Sequence, residues 1–114
     1  MAECIFCKIG SGEIQSQKVY EDEALVAFRD IEPQAPTHIV VIPRKHIETM
    51  NDVSKSDSEL LADLLLVCTK IAQDEGLTEK GYRIVINCNK DGGQSVFHIH
   101  AHLLGGRKMS WPPG

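Results

Sequence analysis

The stretch "SVFHIHAHLLGG", residues 95–106, holds three of the chain's five histidines, at His98, His100 and His102. One apolar or small residue separates each from the next, so the segment repeats with a period of two. That period belongs to a β-strand with one face in the core. It predicts that Phe97, Ile99, Ala101 and Leu103 pack inward while the three imidazoles share the other face of the strand. Side chains two apart on one strand face lie roughly 6.5–7 Å from each other. Rings that close cannot all be protonated near neutral pH, because each cation lowers its neighbours' pKa values. A neutral imidazole is what a nucleophile or a metal ligand requires. The segment therefore reads as a metal site, as a catalytic ring, or as a solvated polar face. Strict alternation in a chain with so few histidines argues against the last.

The neighbouring segments supply a sheet for this strand to join. "KVYED" and "ALVAFRD" read as short strands joined tightly around Asp22 and Glu23. "THIVVIP" is apolar and β-branched throughout, as in a strand buried on both faces, and Pro43 ends it. "GYRIVINCN" alternates Tyr82, Ile84, Ile86 and Cys88 against Arg83, Val85 and Asn87. One long helix is expected from "SKSDSELLADLLLVCTKIAQDEG", with Ser56 and Glu59 as a capping box and Gly76 just past the end. Its stripe of Leu60, Leu64, Val67 and Ile71, flanked by Leu61, Leu65, Cys68 and Ala72, is wide enough to cover a sheet face. "CIFCKIGSG" adds one or two helical turns. The order α-β-β-β-α-β-β makes an α+β domain: an antiparallel sheet of about five strands with one long and one short helix.

At 114 residues, with 42% apolar and 25% charged residues, the chain fits one soluble domain spanning 1–114. A net charge of -4 with scattered basic residues predicts neither a nucleic-acid nor a membrane partner. The N-terminal stretch "MAECIFCKIG" lacks the apolar run of a secretory leader, so a cytoplasmic protein with reduced thiols is expected. Cys68 and Cys88 lie in apolar-patterned segments and read as small core residues. Cys4 and Cys7 form C-x-x-C, which in a reducing compartment suggests metal or redox chemistry. Before the histidines, "NKDGGQS" supplies Gly92 and Gly93 for close backbone approach. Backbone N–H groups in such a turn can cradle an anion, and phosphate is the natural candidate. Asn87 and Ser95 add an amide and a hydroxyl.

"HIHAHLL" matches the pattern His-φ-His-φ-His-φ-φ, with φ apolar. Together with "DIEPQAPTHIVVIPRKHI", "GYRIVIN", "DGGQSVFHIHAHLLGGR" and the terminal "WPPG", it resembles the Hint branch of the histidine-triad nucleotide-binding proteins, from about residue 4 to the end. The resemblance implies a HIT-like fold in a two-fold dimer, and a hydrolase that cleaves the P–N bond at the α-phosphate of purine nucleoside phosphoramidates. It implies His100 as the nucleophile that becomes nucleotidylated. Ser95 and His102 would lie near the phosphate and leaving group, and His38 would orient the nucleophile. Asn87, Gly93, Ser95 and Val96 would hold the phosphate. Asp30 would take the ribose hydroxyls, since a carboxylate offers two acceptor oxygens. Ile5, Phe6, Ile9, Phe28 and Ile31 would form an apolar slot for the base, although Phe28 and Ile31 also suit a core. The tail, residues 107–114, would reach the partner subunit's site, with Trp111 helping to define the leaving-group pocket.

A closed tetrahedral zinc needs two ligands besides Cys4 and Cys7. The positions that bind zinc in bacterial-type relatives match Cys4, Cys7, His46 and His98. That metal would be structural, because many relatives lack the cysteines, and catalysis is expected to need no cofactor. Two other classes of function stay open at this point. One is a metallohydrolase in which His-x-His holds a catalytic ion; the other is a nucleotide-binding module that serves a partner protein.

Overall fold

The structure, a computed structural model, describes residues 4–114. Residues 1–3, part of the N-terminal stretch read above for a leader, lie outside the described residues. The chain runs through α1 (Ile5–Ser11), β1 (Lys18–Glu21), β2 (Leu25–Arg29), β3 (Thr37–Pro43), α2 (Ser58–Asp74), β4 (Tyr82–Val85) and β5 (Ala101–Gly105). The strands form one five-stranded sheet in the order β1-β2-β3-β5-β4, and every neighbouring pair is antiparallel. This is the expected α+β architecture of five strands with one long and one short helix. Among the described residues no helix is long and apolar enough to cross a membrane.

The β1–β2 hairpin turns where Asp22 accepts the N–H groups of Ala24 and Leu25, both at 2.8 Å. That side chain replaces backbone partners a tight turn cannot supply. β3 lies at the centre of the sheet and is buried from His38 onward, as its unbroken apolar run requires. Leu25, Ala27, Ile39, Val41, Ala101 and Leu103 pack on one face against Leu64, Val67, Cys68, Ile71 and Ala72 of α2. Val26, Phe28, Val40 and Ile42 face the other way and meet Phe6 and Ile9 of α1. The Arg44 guanidinium fastens α1 to the end of β3 by donating to the Gly10 carbonyl.

The end of α2 follows expectation. Gly76 has φ 74°, its N–H reaches the Gln73 carbonyl, and the Leu77 N–H reaches that of Ala72. These two bonds satisfy carbonyls the helix itself leaves open. The start differs. The helix begins at Ser58, and the Ser56–Glu59 box is replaced by reciprocal caps on the two 3₁₀ turns before it, at Thr49/Asp52 and Ser54/Asp57. Buried Asp57 accepts the Ser54 N–H at 3.0 Å and the Lys45 ammonium at 2.7 Å. That double pairing fixes the turn one residue before the helix and leaves Ser56 no capping role. Leu65, placed beside the stripe by spacing, is 45% exposed.

The last two strands are shorter than their alternation suggests. β4 leaves the ladder after Val85, and the histidine segment enters β5 only at Ala101. In the observed register Val41 pairs with Ala101. Continued outward, Ile99 would face Pro43, which has no N–H to give. The Ile99 N–H goes instead to the Ile47 carbonyl at 2.7 Å. Residues 97–100 are thus freed from strict alternation. Phe97 turns outward, 45% exposed, and His98 and His100 are buried. The sequence-based view of three rings along one strand face is corrected accordingly: only His102 is held by the ladder.

Candidate active site

A cavity of about 360 Å³ opens on the α1 side of the sheet. Ten of the expected site residues line it: Ile5, Phe6 and Ile9 from α1, Phe28, Asp30 and Ile31 from β2 and the loop after it, and Ser95, Val96, His100 and His102. Phe28 is also part of the buried cluster on that face, whereas Ile31 is exposed and belongs to no core. Arg29 and Val40 line it too, and Ile14, Gln15, Ser16 and Gln17 complete the wall. Sequence reasoning missed these four, because they sit between α1 and β1 in a segment with no periodicity. A larger recess, about 580 Å³, lies where the loop after α2 meets Gly106, Arg107 and Lys108. Neither a histidine nor a carboxylate lines it.

Backbone carbonyls fix the tautomers of His98 and His100, since a carbonyl only accepts. His100 Nδ1 lies 2.8 Å from the His98 carbonyl and must carry its proton there. The other nitrogen, Nε2, keeps its lone pair. It has no hydrogen-bond partner among the described residues, on a ring that lines the cavity. Phe6 meets that ring edge to face at 4.9 Å between centroids, and so restricts its rotation. Burial depresses the His100 pKa, partly offset by the His98 carbonyl and by Asp30. The ring is therefore neutral at pH 7.

His102 is set by a relay from the Pro-rich loop. The Gln34 N–H donates to His38 Nδ1 at 3.0 Å, so His38 carries its proton on Nε2. That nitrogen is 2.9 Å from His102 Nδ1 and 3.4 Å from Asp30 Oδ2. His102 Nδ1 accepts, which leaves its proton on Nε2. Burial, then the neighbouring His100 and His38, push the His102 pKa down to about 4. Burial also lowers that of His38, against the opposing pull of Asp30. His38 thus orients His102, whereas the His100 ring is oriented by the His98 carbonyl. That corrects the expected role of His38, and Gln34 could not be singled out from its proline-rich context.

Asn87, Gly93 and Trp111 do not line the cavity. The Asn87 amide donates to the Gly92 carbonyl at 2.6 Å and closes the turn onto itself. Gly93 has φ 81°, and a Cβ on Gly92 would come 2.3 Å from the Cys88 carbonyl oxygen, so this tight loop needs both glycines. Trp111 is 82% exposed, with the Arg83 guanidinium 6.0 Å from its ring centre.

A second cluster lies behind the first. His98 Nε2 is 2.7 Å from the Pro43 carbonyl and carries its proton there, so Nδ1 offers a lone pair. That atom lies 3.3 Å from Cys4 Sγ, 3.6 Å from Cys7 Sγ and 3.2 Å from His46 Nδ1. Cys7 Sγ and His46 Nδ1 are 3.3 Å apart. Tetrahedral zinc with ordinary bond lengths sets S···N pairs about 3.6 Å and N···N pairs about 3.4 Å apart. The two thiols and two imidazoles fit that geometry, and the Pro43 carbonyl is the kind of outer partner that steadies a ligating histidine. His98 thus faces one cluster and His100 the other. The His98–His100 pair therefore does not converge on one ion; the other group whose ligand atoms come within reach of a single ion is Asp30, His38 and His102, one histidine of the triad with a carboxylate and a histidine from outside it.

A family model for the HIT domain matches residues 11–109. The purine nucleoside phosphoramidase of Escherichia coli K12 is 53% identical over 107 residues, covering 94% of this chain and 90% of that protein. A crystal structure of a HIT family hydrolase from Legionella pneumophila superposes with a TM-score of 0.97 at 62% identity, covering 98% of this chain and all of that one. The histidine triad nucleotide-binding protein of Candida albicans superposes at 0.83 and 33% identity, covering 96% of this chain and 83% of that one. Fold, triad and sequence agree, and the chain belongs to the HIT domain family.

Proposed function

We propose that the protein hydrolyses purine nucleoside phosphoramidates through a nucleotide covalently held on His100. The observation that carries this is the fixed tautomer of His100: Nδ1–H is committed to the His98 carbonyl, and the Nε2 lone pair is left on a ring that lines the cavity. The likeness to the Escherichia coli phosphoramidase supports the same reading. His100 Nε2 attacks the α-phosphorus, and the P–N bond to the amine breaks. His102 Nε2–H, held by the relay through His38, hydrogen-bonds the departing nitrogen, which takes its proton from water so that the amine leaves neutral. Water then cleaves the phosphorus–histidine bond, which splits one difficult displacement into two easier ones. Ser95 and Val96 form the phosphate end, and the turn closed by Asn87 and Gly93 supports them from behind. Asp30 turns Oδ2 to the ribose with the lone pair that His38 Nε2, 3.4 Å away, does not use, because Oδ1 accepts the Glu32 N–H at 2.8 Å. The base enters between Ile5, Phe6 and Ile9 on one side and Phe28 and Ile31 on the other.

Cys4, Cys7, His46 and His98 would hold a structural zinc that pins α1 and the segment before His100 to each other. Trp111 would act on the other subunit of a two-fold dimer. The test is His100→Ala with an adenosine phosphoramidate. Turnover is expected to fall at least about a thousandfold, and intact-mass measurement on the parent should catch the nucleotidyl adduct. Turnover near the parent rate in His100→Ala would overturn the mechanism.

A further inference from the structure

Among the described residues, Ser16 Oγ is the buried side-chain polar atom with no hydrogen-bond partner. Leaving a buried hydroxyl unpaired forfeits its hydration with nothing in return, so native proteins rarely keep one without a use. Ser16 belongs to the cavity wall. Its backbone is held from both sides: the Ile14 N–H donates to the Lys8 carbonyl, the Lys18 N–H to that of Ser16, and the Arg29 N–H to that of Gln17. The last bond continues the β1–β2 pairing outward and sets Ser16 toward Asp30 and Ile31, at the nucleoside end. The side chains assigned to the base, Ile5, Phe6, Ile9, Phe28 and Ile31, are apolar, so a base stacked among them leaves only its edge to be read, and Ser16 lies in the polar part of the wall between Gln15 and Gln17.

We infer that Ser16 is a specificity-determining residue: its hydroxyl donates to a ring nitrogen of the purine, N7 or N3, and so selects purine over pyrimidine nucleotides. Adenine and guanine share both nitrogens, so it does not separate one from the other. The inference rests on reading this cavity as the nucleotide site.

The experiment compares the parent, Ser16→Ala and Ser16→Thr on matched adenosine and cytidine phosphoramidates, with binding of AMP, 7-deaza-AMP, 3-deaza-AMP and CMP measured alongside. Ser16→Ala should lower kcat/KM for the adenosine compound about five- to tenfold, through KM, and change the cytidine compound less than about twofold, the size expected for one neutral hydrogen bond. Ser16→Thr, which keeps the hydroxyl, should restore most of the preference. One deaza analogue should bind the parent about as weakly as AMP binds Ser16→Ala, and lose nothing further on the variant. The melting temperature of Ser16→Ala should hold or rise, since a purely structural hydroxyl would lower it. An unchanged purine-to-pyrimidine ratio, or neither deaza analogue weakened, overturns the role of Ser16 while leaving the hydrolase standing. A parent that neither binds AMP nor cleaves either phosphoramidate overturns both.

Discussion

On β5 the side chains of Leu103 and His102 point to opposite faces of one sheet, and the two faces are built by different rules. Leu103 joins Ile39, Val41 and the buried stripe of α2 in an aliphatic layer. His102 joins His38, His100 and Asp30 on the side covered only in part by α1. The first face is filled by groups that need no partners and gain from close packing. The second is filled by groups whose donors and acceptors must each be answered, and each ring answers the next. The α2 face therefore holds the strands in register, and the α1 face spends that rigidity on placing two imidazole nitrogens.

The largest test of this division exchanges neighbours on the strand. Leu103→Ala opens a hole in the α2 layer and should cost about 3 kcal/mol of stability. Its kcat, measured below the melting transition, should stay within about twofold of the parent. His102→Ala should do the reverse, lowering kcat roughly a hundred- to ten-thousandfold with a much smaller change in melting temperature. Denaturant curves and steady-state rates on both variants decide it. If Leu103→Ala costs rate as heavily as stability, the two faces are not separable.

The same division explains what could be read from sequence. The α2 face was legible because its residues obey a period: β3 is one unbroken apolar run, and Leu64, Val67 and Ile71 recur at helical spacing. The histidines were legible as a group, and so were ten of the cavity's residues. Their orientations were not, because alternation holds only while a ladder enforces it and Pro43 ends the ladder before His100. The relay from Gln34 through His38 joins a loop to a strand by one backbone N–H, and such a bond leaves no mark in composition or spacing. Ile14 to Gln17 escaped notice for the same reason. Of the four-residue sulfur and nitrogen cluster, spacing marked Cys4 and Cys7 while family resemblance supplied His46 and His98; Cys4 and His98 are far apart in the chain and meet because α1 folds back over the end of β3.

That cluster gives the second test, a smaller one. Where the α2 face is held by packing, the α1 face has Arg44 and, on the reading above, a metal. Protein purified without chelator should carry one zinc per chain by elemental analysis. Stripping it should lower the melting temperature by roughly 10 °C, since an ion that binds only the folded chain adds its binding free energy to stability. Limited proteolysis of the stripped protein should then cut first around α1, while α2 stays protected. Simultaneous loss of both helices would mean that the metal, if present, supports the whole fold and not one face.

The smallest effect comes from protons. In the folded protein His102 titrates near 4, and unfolded it titrates near its ordinary 6.5. Below pH 6.5 the unfolded chain takes up a proton that the folded chain refuses, so acid favours unfolding. The stability tied to this ring is present above 6.5 and drains away as pH falls toward 4, below which both states are protonated and the loss stops. Between pH 7 and 6 the ring's share is about 0.5–1 kcal/mol. His38, depressed by the same burial, adds to the slope. The α2 layer has no such group: Cys68, its one titratable member among the buried residues of that cluster, is pushed up to about 11 and stays neutral throughout this range. Chemical denaturation of the parent and of His102→Gln at pH 7 and pH 6 separates the two faces, because the variant should lose less stability on acidification than the parent. Equal losses in the two proteins would place the acid sensitivity outside His102 and remove the electrostatic half of the contrast between the faces.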